Sequence, residues 1–326
     1  MIKKLIIIYV IALVLSGIAT KILVTLLSKN AGQPILKYVK EHYKKSGTPT
    51  MGGIGFISVT VLLYLLFVRQ NGMPLVTLLI FIIYGVIGFF DDFIKIKYKR
   101  NDGLTPIQKI VLQVLAALIA VGFALYQGLT VVYIPFTKKL VDLGLWFIPF
   151  GIFVFLATTN CVNLTDGLDG LAASTSSITL TVIAVTIILQ TKTLSGHYLQ
   201  KGEYEGLACL SVVTAGALIG YLLFNANKAS IFMGDTGSLS LGGLIASVFT
   251  FSGNALYIPI VGFCFVLSGA SVILQVLYYK KTKKRIFLMA PLHHHFQHKG
   301  YTECKIGVWY SVITLVLGLI SIACFL

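Results

Sequence analysis

Charge is what this chain has least of. Asp, Glu, Lys and Arg make up 11% of its 326 residues, where a soluble domain carries about 25%. With 57% hydrophobic residues, that shortfall excludes an ordinary soluble globular protein and implies an integral membrane protein. Acidic groups are the scarcest: 11 Asp and Glu stand against 26 Lys and Arg, a formal net charge of +15. Such an excess in a soluble protein would point to nucleic acid. Here the basic residues sit mostly in short loops, where membrane topology and phosphate or headgroup contacts explain them, and no nucleic-acid partner is expected. Cysteine is sparse as well. Cys161, Cys209, Cys264, Cys304 and Cys324 are scattered, with no C-x-x-C and no Cys/His zinc spacing. There is no G-x-x-x-x-G-K-[ST] loop and no G-x-S-x-G elbow, which removes P-loop hydrolases and α/β-hydrolases. No internal repeat or low-complexity tract is evident.

What the chain does have is long apolar runs. A helix needs about 20 apolar residues to cross the hydrocarbon. Ten segments qualify: 5–27, 52–69, 73–93, 106–127, 144–161, 171–190, 205–225, 236–252, 255–279 and 305–325. The short ones, 144–161 and 236–252, are the weakest. The first imitates a signal peptide but continues past Lys21, long enough to be a retained span. Segment 255–279 is long and contains Pro259, Gly262, Ser268 and Gly269, so a tilt or break is expected, with a groove open to lipid beside it. Residues 129–143 alternate and are β-branched, which predicts a small hairpin outside the membrane. The predicted fold class is an all-α polytopic membrane protein, one helical domain over residues 1–326.

Ten spans put both termini on one side. Loops 28–51, 94–105, 162–170, 226–235 and 280–304, with the helix-end Lys109 and Lys305, hold eighteen Lys and Arg, and the opposite side holds seven. The positive-inside rule makes the first side cytoplasmic and both termini extracytoplasmic. Lys3 and Lys4 argue locally for the reverse. The basic residues alone set this topology, yet it also gathers Asp91, Asp92, Asp166, Asp169, Asp235 and the histidines 293–295 on the cytoplasmic face.

Those residues carry the chemistry. Asp91-Asp92 ends the third apolar run. A carboxylate at membrane depth is costly, and two adjacent ones repel, so a divalent cation or a proton-transfer role would account for both; a plain interfacial stop is the alternative. Lys95 and Lys99, just beyond, suit phosphates or simple topology. Asn160-Cys-Val-Asn163-Leu-Thr-Asp166-Gly-Leu-Asp169-Gly170 is a polar junction whose oxygens can ligate, accept from hydroxyls or cap the next helix. A turn with an N-cap explains Asp169 but not Asn160, Asn163 and Asp166 together. Phe232-Met-Gly-Asp235-Thr-Gly-Ser238 opens the eighth span, with Asn225 closing the seventh; Asp235 serves as a helix cap or as a hard-oxygen ligand for Mg²⁺. Gly47-Thr-Pro-Thr50-Met-Gly-Gly53, preceded by Lys45, opens the second span, and backbone amides at a helix start can cradle phosphate. His293, His294 and His295 diverge too much to ligate one zinc and suit hydrogen bonds to a diphosphate.

These five pieces, in this order, resemble the polyprenyl-phosphate N-acetylhexosamine-1-phosphate transferase superfamily. The string Pro-Leu-His-His-His-Phe is similar to that of its phospho-N-acetylmuramoyl-pentapeptide transferases. One departure is Gln297, where an acidic residue is expected. The resemblance implies transfer of phospho-MurNAc-pentapeptide from UDP-MurNAc-pentapeptide to undecaprenyl phosphate, giving lipid I and UMP, with Mg²⁺. It further implies a cytoplasm-facing site in the plasma membrane, a homodimer, and a place at the first membrane step of peptidoglycan synthesis. On that basis Asp235, Asp91 and Asp92 are the candidate metal ligands, and Asp91 or Asp92 the group that deprotonates or orients the lipid phosphate. Direct attack is the preferred route and a phospho-aspartyl intermediate the alternative. Lys45, Thr50, Lys95, Lys99, Lys109, Asn160, Asn163, Asp166, Asp169, Asn225, Phe232 and Gln275 are the candidate substrate-binding residues, with His293, His294 and His295 at the phosphates. Two rivals stand: an ion-coupled transporter, which would place charge at mid-membrane and show inverted repeats, and transfer of another sugar phosphate such as N-acetylglucosamine-1-phosphate.

Overall fold

In hydrocarbon a long apolar run has no hydrogen-bond partner but its own backbone, so it folds as a helix. A computed structural model describes residues 2–27, 47–68, 71–100, 102–137, 139–193 and 201–326. All ten predicted segments are helical in it. In chain order the elements are α1 (Ile2–Leu27), α2 (Gly53–Leu63, extended by a π-helical turn Tyr64–Val68), α3 (Met73–Lys97) and α4 (Pro106–Tyr126). Then come β1 (Val131–Ile134), β2 (Lys139–Asp142), α5 (Phe147–Thr165), α6 (Leu171–Thr193), α7 (Lys201–Asn225) and α8 (Gly234–Phe251). The chain ends with α9 (Ile258–Val261), α10 (Phe263–Thr282), α11 (Leu292–His298) and α12 (Glu303–Ala323). Among the described residues, eight helices are long and apolar enough to cross a membrane: α1, α3, α4, α5 with its leading turn, α6, α7, α10 and α12. The helix over Gly53–Val68 is shorter, and α8 has 18 residues.

Helix α8 is a weak span by sequence because it meets protein and not lipid. Every residue from Thr236 to Phe251 is buried, against α3, α5, α2 and α6. Its glycines and serines let neighbouring backbones come close. A Cβ on Gly237 would stand 3.0 Å from the Cα of Gly53, and one on Gly243 would enter the ring of Tyr84. Its hydroxyls are satisfied by carbonyls within the helix, as in Ser247 Oγ to Gly243 O (2.8 Å). The peripheral helices show the opposite pattern. Ile2, Ile6, Val10, Val14 and Ile18 of α1 form one exposed apolar stripe, the face expected toward lipid.

The expected break in segment 255–279 is present, and one helix runs further than expected. Segment 255–279 is not one helix: a 3₁₀ turn at Ala255–Tyr257 and the short α9 end at Gly262, and α10 restarts there. Pro259 sits in the first turn of α9, and a Cβ on Gly262 would press on the Ile258 carbonyl at 2.8 Å. Helix α3 also runs to Lys97, one turn past the end of its apolar run. That turn puts Asp91 and Asp92 inside the helix, with Lys95 on the face of Asp91. The predicted hairpin is present, antiparallel with Val131 opposite Asp142 and Ile134 opposite Lys139. Tyr133 N–H donates to the Gly253 carbonyl (2.8 Å), so the hairpin caps the C-terminal end of α8. The N-terminal end of α8 lies about 27 Å away at 1.5 Å per residue, and there the site is built.

Candidate functional site

The C-terminal ends of α3, α5 and α7 and the N-terminal ends of α2, α4 and α8 meet around Asp235. The α2 and α8 starts are joined by backbone: Phe232 N–H donates to Pro49 O (2.8 Å), Gly52 N–H to Phe232 O (2.8 Å) and Gly53 N–H to Met233 O (3.0 Å). Gly234 enters α8 at φ +73°, and a Cβ there would stand 2.8 Å from the buried Thr50 hydroxyl. Asp92 uses both carboxylate oxygens on the freed N–H groups of α8. Oδ1 accepts from Asp235 N (3.1 Å), and Oδ2 accepts from Thr236 N (2.9 Å) and Thr236 Oγ1 (2.7 Å). A carboxylate at a helix N-terminus is stabilised by those donors and by the helix dipole. Gly88 of α3 permits this approach, since a Cβ there would meet the Asp235 carbonyl and stand 2.5 Å from Thr236 N.

The three acidic side chains bring oxygens within 4.8 Å of one another. Lys95, one helical turn after Asp91, reaches Asp91 Oδ2 (2.5 Å) and Asp235 Oδ2 (3.1 Å). Lys109 reaches the same Asp235 oxygen at 2.7 Å. It is positioned by a capping box at the start of α4, where Thr105 and Gln108 exchange hydrogen bonds and Pro106 fills the first turn. Asn163 donates to Asp235 Oδ1 (2.7 Å) and Ser238 Oγ (2.8 Å). Asn160, one turn earlier on the same face of α5, donates to Gln113 Oε1 (2.8 Å). Leu104 N–H holds Asp91 Oδ1 (2.9 Å). A cavity of 610 Å³ opens onto Asp91, Lys95, Lys109, Asn160 and Asp235, with Arg100 and Asp102 at its wall. Asp91 lines this cavity and Asp92 stands behind it.

The turn 166–170 joins this cluster to the histidines. Burial pushes the Asp166 carboxyl up to about 8, helped by the charges of Asp235, Asp92 and Asp169. One residue on, Gly167 backs onto α11: a Cβ there would stand 3.1 Å from both His293 Cε1 and His294 Nε2. The three imidazoles part company. His293 is fully buried, beside Tyr310 at 6.3 Å between ring centroids, with neither nitrogen hydrogen-bonded among the described residues. Burial, and then His294, hold its pKa well below the usual value. His294 Nδ1 contacts Gln297 Oε1 at 2.9 Å. His295 Nδ1 accepts from Leu288 N (3.1 Å) and so anchors the preceding loop.

Several predicted residues shape the site from behind. Asp169 accepts from Ala229 N (3.0 Å). Asn225 accepts from Gly170 N (3.1 Å) and donates to Ile231 O (2.9 Å). Phe232 is half-buried and its backbone belongs to the α2–α8 joint. Lys99 is exposed on the turn after α3. Gln275 does not join the cluster: its amide accepts from Ile286 N and Phe287 N (both 3.0 Å) and donates to Phe287 O (3.1 Å). The reason is that the loop after α10 folds back over the side chain and engages both of its polar ends. Lys45 lies outside the described residues. Sequence reasoning missed Gln113, Thr236, Leu104 and Glu303. Gln113 was findable, four residues after Lys109 on an otherwise apolar helix; the backbone donor of Leu104 left no signal.

Comparison with known proteins agrees with this geometry. Residues 73–253 match the family described as glycosyl transferase family 4. A phospho-N-acetylmuramoyl-pentapeptide-transferase of Thermoanaerobacter sp. (strain X514) is 41% identical over 324 residues, 98% of each chain. That of Clostridium botulinum (strain Alaska E43 / Type E3) is 46% identical over 284 residues, 86% of this chain and 84% of the relative. That of Clostridium novyi (strain NT) is 42% identical over 317 residues, 95% and 94%. The identity extends along nearly the whole chain, and the chain belongs to the phospho-N-acetylmuramoyl-pentapeptide transferases of glycosyl transferase family 4.

Proposed function

We propose that the chain transfers phospho-MurNAc-pentapeptide from UDP-MurNAc-pentapeptide to undecaprenyl phosphate, releasing UMP and forming lipid I. The observation that carries this reading is the convergence of Asp91, Asp92 and Asp235 within 4.8 Å, with Lys95 and Lys109 on the same carboxylates. Joining two phosphorylated molecules requires a site that neutralises their charge and aligns them. In the direct route an oxygen of the lipid phosphate bonds to the sugar-bearing phosphorus, and the bond from that phosphorus to UMP breaks. Asp91 faces the cavity and is placed to take the lipid phosphate's proton or to orient it. Asp92, whose oxygens also accept from the start of α8, holds Asp235 in position. Lys95 and Lys109 contact the diphosphate, Asn163 fixes Asp235, and the turn 166–170 and α11 receive nucleotide or sugar.

Three carboxylates against two ammonium groups leave an acidic excess, and carboxylate oxygens are the donors Mg²⁺ takes. Asp91, Asp92 and Asp235 would hold that ion, which when bound neutralises diphosphate charge and stabilises departing UMP. The basic-residue tally supports ten spans, extracytoplasmic termini and a site facing the cytoplasm from the plasma membrane. The family relationship supports a homodimer. The clustering of charge at one end of the bundle favours an enzyme over an ion-coupled carrier.

Purified protein with Mg²⁺ and undecaprenyl phosphate is expected to release UMP from UDP-MurNAc-pentapeptide and not from UDP-N-acetylglucosamine. Release from the second alone would move the chain to another sugar; release from neither would reject the reading. Asp235→Asn and Asp92→Asn are each expected to lose most turnover while the protein still inserts and folds.

A further inference from the structure

Helix α11 and the start of α12 contain a chain of polar contacts that the transfer chemistry above does not use. Glu303 is the first residue of α12, after the Thr302 cap. Its Oε2 accepts from Asp169 N (3.2 Å), and its Oε1 accepts from Gln297 Nε2 at a longer 3.4 Å. Gln297 is buried, as is His294, and the two meet at 2.9 Å.

The donors in this chain have only one self-consistent order. A carboxylate accepts and does not donate, so the Gln297 end facing Glu303 is its NH₂ group. The end facing His294 is therefore the carbonyl, which can only accept, and His294 Nδ1 must carry a hydrogen. In the neutral ring the other nitrogen, Nε2, then carries no hydrogen. That nitrogen lies beside the Asp166–Gly167 turn, 3.1 Å from where a Cβ on Gly167 would be. The same carboxylate holds the backbone of that turn through Asp169 N.

We propose that Glu303 is a positioning residue for His294: acting through Gln297 it fixes the Nδ1–H tautomer and leaves the neutral ring's Nε2, beside the turn it also anchors, without a hydrogen. In that form His294 meets the substrate as a hydrogen-bond and proton acceptor. Gln297 is the group that makes this work with the acid one helix away. An acid at position 297 would do the same by direct contact.

This inference rests on the phosphosugar-transfer reading for its effect on rate, but not for the tautomer. The test has two readouts. Histidine ¹⁵N chemical shifts of the full-length protein in detergent micelles, with His294 assigned by its absence in His294→Ala, are expected to show Nδ1–H in the wild type. Gln297→Leu and Glu303→Leu are expected to move His294 to the Nε2–H form that free histidine prefers. In turnover assays Gln297→Leu is expected to lower kcat about 10- to 100-fold, the range typical of lost orienting partners, with KM little changed. Gln297→Glu is expected to stay within about threefold of wild type, and Gln297→Leu to add no further loss in a His294→Ala background. Glu303→Gln keeps the shape with one accepting oxygen in place of two, and an intermediate loss is expected if either leucine variant fails to fold. An Nε2–H signal in the wild type, or losses that multiply in the His294→Ala background, overturns the proposal. Absence of turnover in the wild type with the Nδ1–H signal intact would reject the transfer reading and leave the relay standing.

Discussion

Replacing Lys109 with methionine leaves three carboxylates facing one ammonium. In the wild type Lys109 Nζ lies 2.7 Å from Asp235 Oδ2, with the two side chains 18% and 16% exposed. Breaking a fully buried pair costs about 3–5 kcal/mol; residual solvent reduces that here to the range of a charge-assisted hydrogen bond, about 1.5–3 kcal/mol. Without divalent cation the variant should therefore melt several degrees below wild type in detergent. Loss of a positive charge beside the cluster should also tighten Mg²⁺ binding by on the order of tenfold, or 1.4 kcal/mol. Mg²⁺ should then recover much of the lost stability and raise the variant's melting temperature more than the wild type's. Turnover should remain at least about tenfold down even at saturating Mg²⁺, because the diphosphate has lost a cationic partner. Thermal scans of both proteins across a Mg²⁺ series, with calorimetric affinities, provide the measurement. Equal Mg²⁺ stabilisation of wild type and variant would refute the reasoning, since it would mean that the ion binds away from Asp91, Asp92 and Asp235.

Three further outcomes follow from the same geometry. Gly88→Ala drives a methyl into the Asp235–Thr236 backbone and should cost about 1–3 kcal/mol of stability while abolishing turnover; wild-type UMP release would show that α3 and α8 can separate freely. Gly167→Ala presses on His293 and His294 and should cut turnover without changing Mg²⁺ affinity, measured by calorimetry. Asp166, pushed up to about 8 from the usual 3.8, binds its proton more tightly in the folded state. Without Mg²⁺, stability should therefore fall as pH rises from about 4 through 8. Asp166→Asn mimics the protonated form, so it should match wild type only below about pH 4 and melt increasingly higher than wild type toward pH 9; a variant that melts lower at pH 9 would contradict the burial argument.

Much of the site was legible because helical spacing is local. Asp91 and Lys95, Lys109 and Gln113, and Asn160 and Asn163 lie three or four residues apart, so each pair shares a helix face before any tertiary contact forms. Charge scarcity made the carboxylates conspicuous: in a chain with 11 acidic residues, adjacent Asp91-Asp92 at the end of an apolar run needs a reason. Roles were harder to read than places. Gln275 and Asn225 were expected near substrate, yet their amides bind loops, because a buried amide takes whichever backbone groups the fold brings to it. His293, His294 and His295 looked like one unit and are three, since successive helix positions point about 100° apart.

The sequence by itself determined a helical multi-pass membrane protein, the position of its apolar helices, the hairpin at 131–142 and the acids that converge at one end of the bundle, because hydrophobic length and helical period are properties of short segments. Only the tertiary structure decided that α8, a weak span by sequence, stands at the centre, that Asp92 caps it while Asp91 opens to the cavity, and that Glu303 reaches the Asp169 backbone. Those outcomes depend on which small residues let which helices touch, and close approach between segments more than a hundred residues apart leaves no mark on either segment alone.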